Sequence, residues 1–558
     1  MATFTVTNPL DSGAGSFRQA IFDANTQAGT DEIVFDTGGF PSTLTLTSGE
    51  LKITDSVNIL GSGADWLTVS GNNNSRIFNI DDGGSQILDV LISGLTLTDG
   101  NGRATNSNSS FGLGGAIYNA DENLTLIDAV VTNNTARGNF FEDGSGGGIF
   151  NSSGELTITN SIISSNLAAG QFEYSPGYGT NGSGGGIFNE SGTIDVNNST
   201  ISDNRAAGGD GYGDSGNGEG GAIFNGSGII NVNNSTISNN SAAAGSGRSF
   251  AGHGKGGGMF NGSGELVVTN STINNNIAAG GSSFYGAAKG SGGGIFGKVT
   301  VINSTISDNT ARAGSTGSYY SPSYPTTGNG GGISGQVTVI NSTISHNTAE
   351  GGSGLYGAAG GIGGGIWGSG TVTNSTITGN EAKSGSCHLP YCETDFSFGG
   401  GIANTGRMTI TSSLIAGNID AADISGSSFI SGGHNLIGNG DGTPGFINGV
   451  NNDQVGTTDN PIDPLLGLLQ NNGSSTATHA LLPGSPAIDA GSNPLMLLTD
   501  QRGDGFNRTV GSQTDVGAFE VQPLPSTSVP EPSSMLGLIG LMILGTTCLV
   551  KRKLPNKS

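Results

Sequence analysis

Charge is scarce in this chain, and one sign dominates what there is. Asp, Glu, Lys and Arg make up 11% of 558 residues, with 19 basic side chains against 43 acidic ones and a net charge of −24. Nucleic acid is thereby excluded as a partner. Most of the surface has to be built from Ser, Thr, Asn and Gly. Cysteine is nearly absent, with three residues. Cys387 and Cys392 bracket His388 in SGSCHLPYCETD, which reads as a small disulfide loop under oxidising conditions. Two thiols and one imidazole fall a ligand short of a zinc site, and no fourth ligand lies nearby. Cys548 sits in an apolar tail out of their reach. The five histidines, His253, His346, His388, His434 and His479, never pair at ligand or catalytic spacing. No G-x-S-x-G elbow occurs. The Gly-Gly-Gly runs lack a following Lys-Ser/Thr, which excludes a P-loop. No catalytic residue, metal ligand set or cofactor is therefore read. The first residues, MATFTVTNPLDSG, show neither a charged n-region nor an apolar h-region. No signal peptide is read there, so export implies another route or an upstream start.

What the chain does have is a repeat. It reads GGGIFNSSGELTITNSIISSN at Gly146–Asn166, GGGIFNESGTIDVNNSTISDN at Gly184–Asn204 and GGAIFNGSGIINVNNSTISNN at Gly220–Asn240. The apolar residue after the glycines recurs about every 36 residues, at Ile117, Ile149, Ile187, Ile223, Met259, Ile295, Ile333, Ile366 and Ile402, and such a period means a stacked array. Within the repeats no run of ten or more residues has a helical apolar period, and 103 glycines disfavour long helices. Each block instead holds three short β-branched runs, as at Ile187–Phe188, Ile194–Val196 and Thr200–Ser202. Three strands and their turns fit one coil of a parallel β-helix, with coils stacked about 4.8 Å apart. The remaining residues, such as AAGQFEYSPGYGTNGS after Leu167, read as a loop leaving one corner.

Two asparagine columns set the register. Asn160, Asn198, Asn234, Asn270, Asn303, Asn341 and Asn374 precede a Ser and a β-branched pair. Asn tolerates the left-handed backbone of a sharp corner, and stacked amides pass hydrogen bonds along an axis. A second column lies six residues on, from Asn166 to Asn380. Many of these sites also match N-x-Ser/Thr, but register explains them without glycosylation. The glycines read as corners with positive φ and close backbone approach.

The predicted fold is all-β: a right-handed parallel β-helix with an irregular C-terminal cap and a C-terminal transmembrane helix. Residues 1–110 form N-terminal capping coils, 111–440 the repeat helix, 441–522 the cap, 523–534 a Pro/Ser linker and 535–558 the membrane tail. Near the start, Ser16–Asn25 reads as a short helix with an S-x-x-Q capping box at Ser16 and Gln19. Its apolar face of Phe17, Ala20, Ile21 and Ala24 covers the open end of the core. In the cap, Asp489, Asp500, Arg502 and Asp515 read as ion pairs that tie it down. In the tail, Met535–Val550 carries no charge and Lys551-Arg552-Lys553 follows. As a helix it spans about 24 Å, somewhat short of a roughly 30 Å hydrocarbon core, and the basic end places Lys551 in the cytoplasm.

Three stretches resemble known families. Val529-Pro530-Glu531-Pro532, the apolar run and the basic end resemble the PEP-CTERM sorting signal. The resemblance implies a temporary membrane anchor cleaved by an exosortase, with Pro530, Glu531 and Pro532 as the sorting motif. DSGAGSFRQAI at Asp11–Ile21 and the GGGIFN…NSTISNN blocks resemble right-handed β-helix surface proteins common in cyanobacteria and other bacteria, and the repeats of polymorphic outer-membrane adhesins. LLPGSPAIDAG, DQRG and DVGAFE resemble the choice-of-anchor Q domain. None of these resemblances carries a catalytic residue onto the chain.

The fold also hosts polysaccharide lyases and hydrolases, so enzyme and non-enzyme readings both stand. Asp203 and Asp308 share a repeat position, but Asn239, Asn275 and His346 fill it elsewhere. Asp210, Asp214 and Glu219 share a loop with no basic residue before Arg248, and His253 and Lys255 come near the next corner. These read as solvated loop charges. The leading reading is a non-enzymatic protein of the cell surface or extracellular matrix, serving scaffolding, adhesion or polysaccharide association. A carbohydrate-active enzyme and a self-associating adhesin are the alternatives. Two carboxylates about 5–9 Å apart in a groove would favour a hydrolase, whereas flat faces of Asn, Ser and Thr would favour binding or scaffolding.

Overall fold

Alternating β-branched residues separated by Gly and Asn corners leave the chain few choices but to coil. The computed structural model describes residues 1–523 apart from 37, 39–41, 103–111, 140–141, 173–176, 318–325, 356, 388–392 and 395–396. The sorting motif, Met535–Val550 and Cys392 lie outside the described residues. Met1–Val521 forms one compact unit. Among the described residues no helix is long and apolar enough to cross a membrane.

The unit is an all-β parallel solenoid of the right-handed type. One coil shows the plan. Gly182–Ser183 belongs to a fourth sheet, Ile187–Asn189 and Thr193–Asn197 to the first, Thr200–Ser202 to the second and Arg205–Ala207 to a third. Among the described residues these sheets have 23, 14, 8 and 7 strands in order from the first. Each residue pairs with its counterpart one repeat on, so Ile149, Ile187, Ile223, Met259 and Ile295 follow one another in register. All five are fully buried.

The third and fourth sheets go beyond the three strands expected. Leu167–Ala169 is a strand where the loop was expected to begin. Its inward residue is always alanine, at Ala168, Ala206, Ala242, Ala278, Ala311, Ala349 and Ala382. The coil narrows there, and only a methyl group fits. At the next corner Gly184, Gly220, Gly256, Gly292 and Gly330 hold φ of 62–64°. A Cβ built on the following Gly185 would lie 2.3 Å from the Gly221 carbonyl oxygen, so the corner admits nothing larger than glycine.

The two asparagine columns divide the work. The first, from Asn160 to Asn374, makes the corner, with φ of 47–50°. The second is a buried ladder. Asn240 donates through both its backbone N–H and Nδ2 to Asn276 Oδ1, at 3.0 and 2.9 Å, and Asn276 does the same to Asn309. The ladder opens with Gly100 N donating to Asn134 Oδ1 and closes on the Asp423 carboxylate, which accepts both donors of Asn418. A third column, Asn119, Asn151, Asn189, Asn225 and Asn261, runs inside the first sheet in the same direction.

The helix at Phe17–Ala24 buries Phe17, Ala20, Ile21 and Ala24, and Ser16 Oγ accepts from Gln19 N–H. The reciprocal arm of the capping box is missing, because the Gln19 side chain donates to Asp23 instead.

The C-terminal segment departs from its expected place. The second sheet runs on to Gln454–Val455, beyond residue 440. The chain then folds back along the side of the solenoid. Thr305 Oγ1 donates to the Ala477 carbonyl, Thr343 Oγ1 to Gln501 Oε1 and Asn374 Nδ2 to the Ser492 carbonyl, while Ala518 N–H donates to Thr376 Oγ1. Leu414 and Leu436, which point outward, pack with Leu481, Ala487, Val516 and Phe519 in a second apolar cluster. The segment is therefore a lateral clasp across the second sheet. Of the ion pairs expected among Asp489, Asp500, Arg502 and Asp515, one is present among the described residues. Asp500 pairs with Arg502 at 2.6 Å, and the Arg502 guanidinium is sandwiched between Phe506 and Phe519, 3.9 and 3.8 Å from the ring centroids. Asp515 instead accepts the backbone amides of Asp489 and Val521.

Candidate functional site

Between the third and fourth sheets the chain leaves the solenoid as a loop, and successive loops stack into an edge. Gly211, Gly247, Ser283 and Thr316 bridge in parallel. Asp210 Oδ1 accepts Ser246 N–H, Ser246 Oγ accepts Ser282 N–H and Ser282 Oγ accepts Ser315 N–H. A Cβ on Gly245 would lie 2.0 Å from the Gly209 carbonyl oxygen, so backbone must meet backbone here. The backbone polar groups are spent on stacking, and the remaining side chains project outward.

Those side chains are aromatic. Phe172, Tyr178, Tyr212, Phe250, Phe284 and Tyr285 are exposed, Tyr212 at 58% and Phe250 at 64%. Phe172, Tyr212 and Phe284 line a cavity of about 560 Å³ with Asp210, Ser246 and Arg248. The Arg248 guanidinium lies 5.8 Å from the Tyr212 ring centroid, close enough for cation–π attraction. Of the ten tyrosines in the sequence, Tyr118 belongs to a repeated strand, while Tyr178, Tyr212 and Tyr285 lie in the segments between third-sheet and fourth-sheet strands. That concentration was the available signal, and a reading focused on charge passes over it. The other aromatic row, Tyr118, Phe150, Phe188, Phe224, Phe260 and Phe296, stacks face to face at centroid distances of 4.6–5.5 Å. Those faces cover one another, whereas Tyr212 and Phe250 on the loops keep more than half of their surface exposed.

The loop charges are less scattered than their sequence positions suggested. Lys255 Nζ bonds Glu219 at 2.9 Å. His253 accepts Lys289 N–H on Nδ1, and burial together with Lys255 and Lys289 holds its pKa below the ordinary imidazole value. Asp203 and Asp308 instead occupy a left-handed corner that they share with Asn239, Asn275 and His346, at φ of 56–58°. Their type follows from the backbone.

Two histidines do pair, contrary to the reading from spacing. His479, in the clasp, sits 5.7 Å from His346 between ring centroids, with Ser345 Oγ 2.8 Å from His479 Nε2. His479 Nδ1 lies 2.7 Å from the Gly467 carbonyl oxygen, where it donates. Ser345 is fully buried and a backbone carbonyl stands in the third position, so the contact pins the clasp and offers no nucleophile. His434 likewise ties the last coil to the Ala490 carbonyl. Cys387 is disulfide-bonded; its expected partner Cys392 and His388 lie outside the described residues. The residues placed to hold a cation are Asp81, Asp82 and Glu122, whose carboxylate oxygens lie within 4.8 Å of one another. Glu122 is buried and accepts the Asp82 and Leu88 amides at 3.2 and 2.5 Å, one on each carboxylate oxygen.

No family model matches the chain. No curated protein matches it either. Among solved structures it is similar to the mannuronan C-5 epimerase AlgE6 A-module of Azotobacter vinelandii, at 12% identity over 81% of this chain and 97% of that one, with a TM-score of 0.33. It is similar to pectate lyase Pel9A at 10% identity over 94% and 97% of the two chains, with a TM-score of 0.31. The likeness to ORF18 of Geobacillus virus E2 is at 9% identity over 73% of this chain, with a TM-score of 0.29, and this chain spans 61% of that protein's length. Scores this low carry no argument about chemistry. The solenoid rests on the strand pairing itself.

The clasp carries a pH signature. Burial holds the His479 pKa below its ordinary 6.5. The unfolded chain therefore takes up a proton below pH 6.5 that the folded one resists, and stability falls as pH drops through that value. Burial pushes Glu520 the other way, from 4.5 up to about 7. The folded chain then holds the extra proton between those values, and stability falls as pH rises from 4.5 to 7. The two slopes oppose each other between pH 4.5 and 6.5, so limited proteolysis of the clasp is read in the variants. His479→Gln should leave a clasp that loosens as pH rises, and Glu520→Gln one that loosens as pH falls; unchanged profiles in both variants would refute the assignment.

Proposed function

We propose that the chain is a non-enzymatic scaffold of the cell surface or extracellular matrix that associates with polysaccharide along its loop edge. The observation that carries this reading is the row of exposed aromatic rings on stacked Gly/Ser loops. Tyr, Ser and Gly are the composition of adaptable binding loops. Rings of this kind offer apolar faces to pyranose C–H groups, while Asp210 and Arg248 reach hydroxyls. The net charge of −24 disfavours polyanions and a second copy of this acidic chain, which leaves neutral polymers. The open rungs of the second sheet, with Thr200, Thr236 and Thr272 beside Ser202, Ser238 and Asn274, are the flat uncharged faces expected of a scaffold.

Retardation in gels containing neutral polysaccharides tests the binding. The triple variant Tyr212→Ser, Phe250→Ser, Phe284→Ser is expected to lose at least tenfold in affinity, since each ring removes about 1 kcal/mol or more of contact. Its melting temperature should not change, because all three rings are largely outside the core. Equal retardation of wild type and variant would remove the edge from the proposal, and depolymerisation of the polymer would favour the enzyme reading. Delivery to the surface is proposed to use the C-terminal tail. Alanine at Pro530, Glu531 and Pro532 is expected to leave an uncleaved, membrane-retained chain in an exosortase-bearing host, and normal processing of that variant would refute the sorting role.

A further inference from the structure

The third asparagine column has an unfinished end. Along it each Nδ2 donates forward, from Asn119 to Asn151 Oδ1 at 2.7 Å and from Asn151 to Asn189 Oδ1 at 2.9 Å. Each Oδ1 in the column therefore faces the preceding coil. Asn119 is the first member, and in the coil before it the register position is Ile80, which has no donor to give. Asn119 is 0% exposed, and its Oδ1 has no hydrogen-bond partner. A buried acceptor left alone costs about 1–3 kcal/mol, so something electropositive belongs beside it.

The residues immediately after Ile80 are Asp81 and Asp82, and three residues after Asn119 comes Glu122. The Glu122 carboxylate also faces the preceding coil, where it meets the amides of Asp82 and Leu88. In the following coils its place is taken by Gly154, Gly192, Gly228 and Gly264; a Cβ on Gly154 would lie 2.2 Å from the Glu122 carbonyl oxygen. A long acidic side chain is accommodated only here, against the turn 81–88. Three carboxylates lie within 4.8 Å of one another, and no ion pair among the described residues joins any of them to a basic side chain.

We propose that Asp81, Asp82, Glu122 and the orphan Asn119 Oδ1 form a calcium site that locks the N-terminal coils to the first regular repeat. All four donors are oxygen, three of them anionic, which suits a hard divalent cation and excludes softer metals that seek nitrogen or sulfur. Carboxylate oxygens spread over as much as 4.8 Å favour calcium, with its larger and looser shell, over magnesium. The carboxylates accept backbone amides of the 81–88 turn but face no basic side chain in an ion pair among the described residues, so the ion supplies positive charge that they and the column lack, and it bridges two coils at the point where the N-terminal coils give way to the repeat.

The test uses the full chain stripped with chelator. Terbium luminescence excited through tyrosine reports the site, because Tyr118 adjoins Asn119 and pairs with Asn79 in the coil that carries Asp81 and Asp82. Terbium emission displaced by calcium, together with a melting temperature raised by calcium, is the expected result. Asp81→Asn, at an exposed position that leaves folding intact, should weaken calcium at least tenfold, and Glu122→Gln should abolish the thermal shift. Loose binding by an acidic surface would survive both substitutions, and that outcome, like the absence of any calcium-dependent shift in the wild type, overturns the site.

Discussion

Ile223→Asp is expected to destabilise the solenoid by more than about 4 kcal/mol. Ile223 is fully buried between Ile187 and Met259 in adjacent coils. Its replacement removes a branched apolar side chain, worth about 2–4 kcal/mol in a packed core. It also puts an unpaired carboxylate where every neighbour is hydrocarbon, which costs several more until the group protonates. Because each coil contacts only its neighbours, the damage should centre on three repeats and then spread as the array loses continuity. Tyr212→Ala, on the loop edge, should cost about 0.5 kcal/mol. Denaturant midpoints measure both, and coincident midpoints would refute the inward placement of Ile223.

Asn276→Ala should be nearly as damaging, by about 3–5 kcal/mol, even though it removes only a short polar side chain. Asn276 Oδ1 accepts two donors from Asn240, and its Nδ2 supplies the Ile237 carbonyl and Asn309. Alanine leaves the Asn240 backbone N–H buried without its acceptor and the Ile237 carbonyl without its Nδ2 donor, at about 1–3 kcal/mol for each group stranded, while Asn240 Nδ2 keeps the Ile201 and Ser238 carbonyls. Asn270→Ala is the informative comparison. It lies six residues earlier in the same coil, at φ 49°, and its cost is the left-handed backbone penalty of about 1 kcal/mol. Equal losses from the two substitutions would mean that the columns do not have the separate roles described above.

The architecture was largely legible, for a physical reason. A solenoid repeats its constraints, so Ile223 and its counterparts announce one inward column, and the corner asparagines announce one backbone state. The Ala206 and Gly182 strands were not legible. Three residues or fewer cannot display a period, and Ala and Gly are as common in loops as in tightly packed corners. The clasp was read as an end cap because its contacts join Thr305 to Ala477 and Ser345 to His479, across separations at which the sequence shows no pattern. Leu414 and Leu436, apolar where the six preceding coils carry Thr, from Thr200 to Thr376, were the local sign that this face is covered. The loop edge was missed for another reason: its information lies in where the tyrosines are, and motif searches weigh what precedes and follows a residue.

The long asparagine ladder has a direction, and direction implies an order of assembly. From Asn134 to Asn418 each asparagine gives its backbone N–H and one Nδ2 hydrogen toward the C-terminus, the other Nδ2 hydrogen going back to a carbonyl of the preceding coil, and the Asp423 carboxylate is the first member with no side-chain hydrogen to give. During synthesis, each newly laid coil therefore holds donors that only the next coil can satisfy. The growing tip is always hungry, and it recruits the following repeat in preference to any other. Asp423 acts as a stop signal written in acid. A chain ending short of it would carry an unquenched tip, ready to capture a neighbour's backbone.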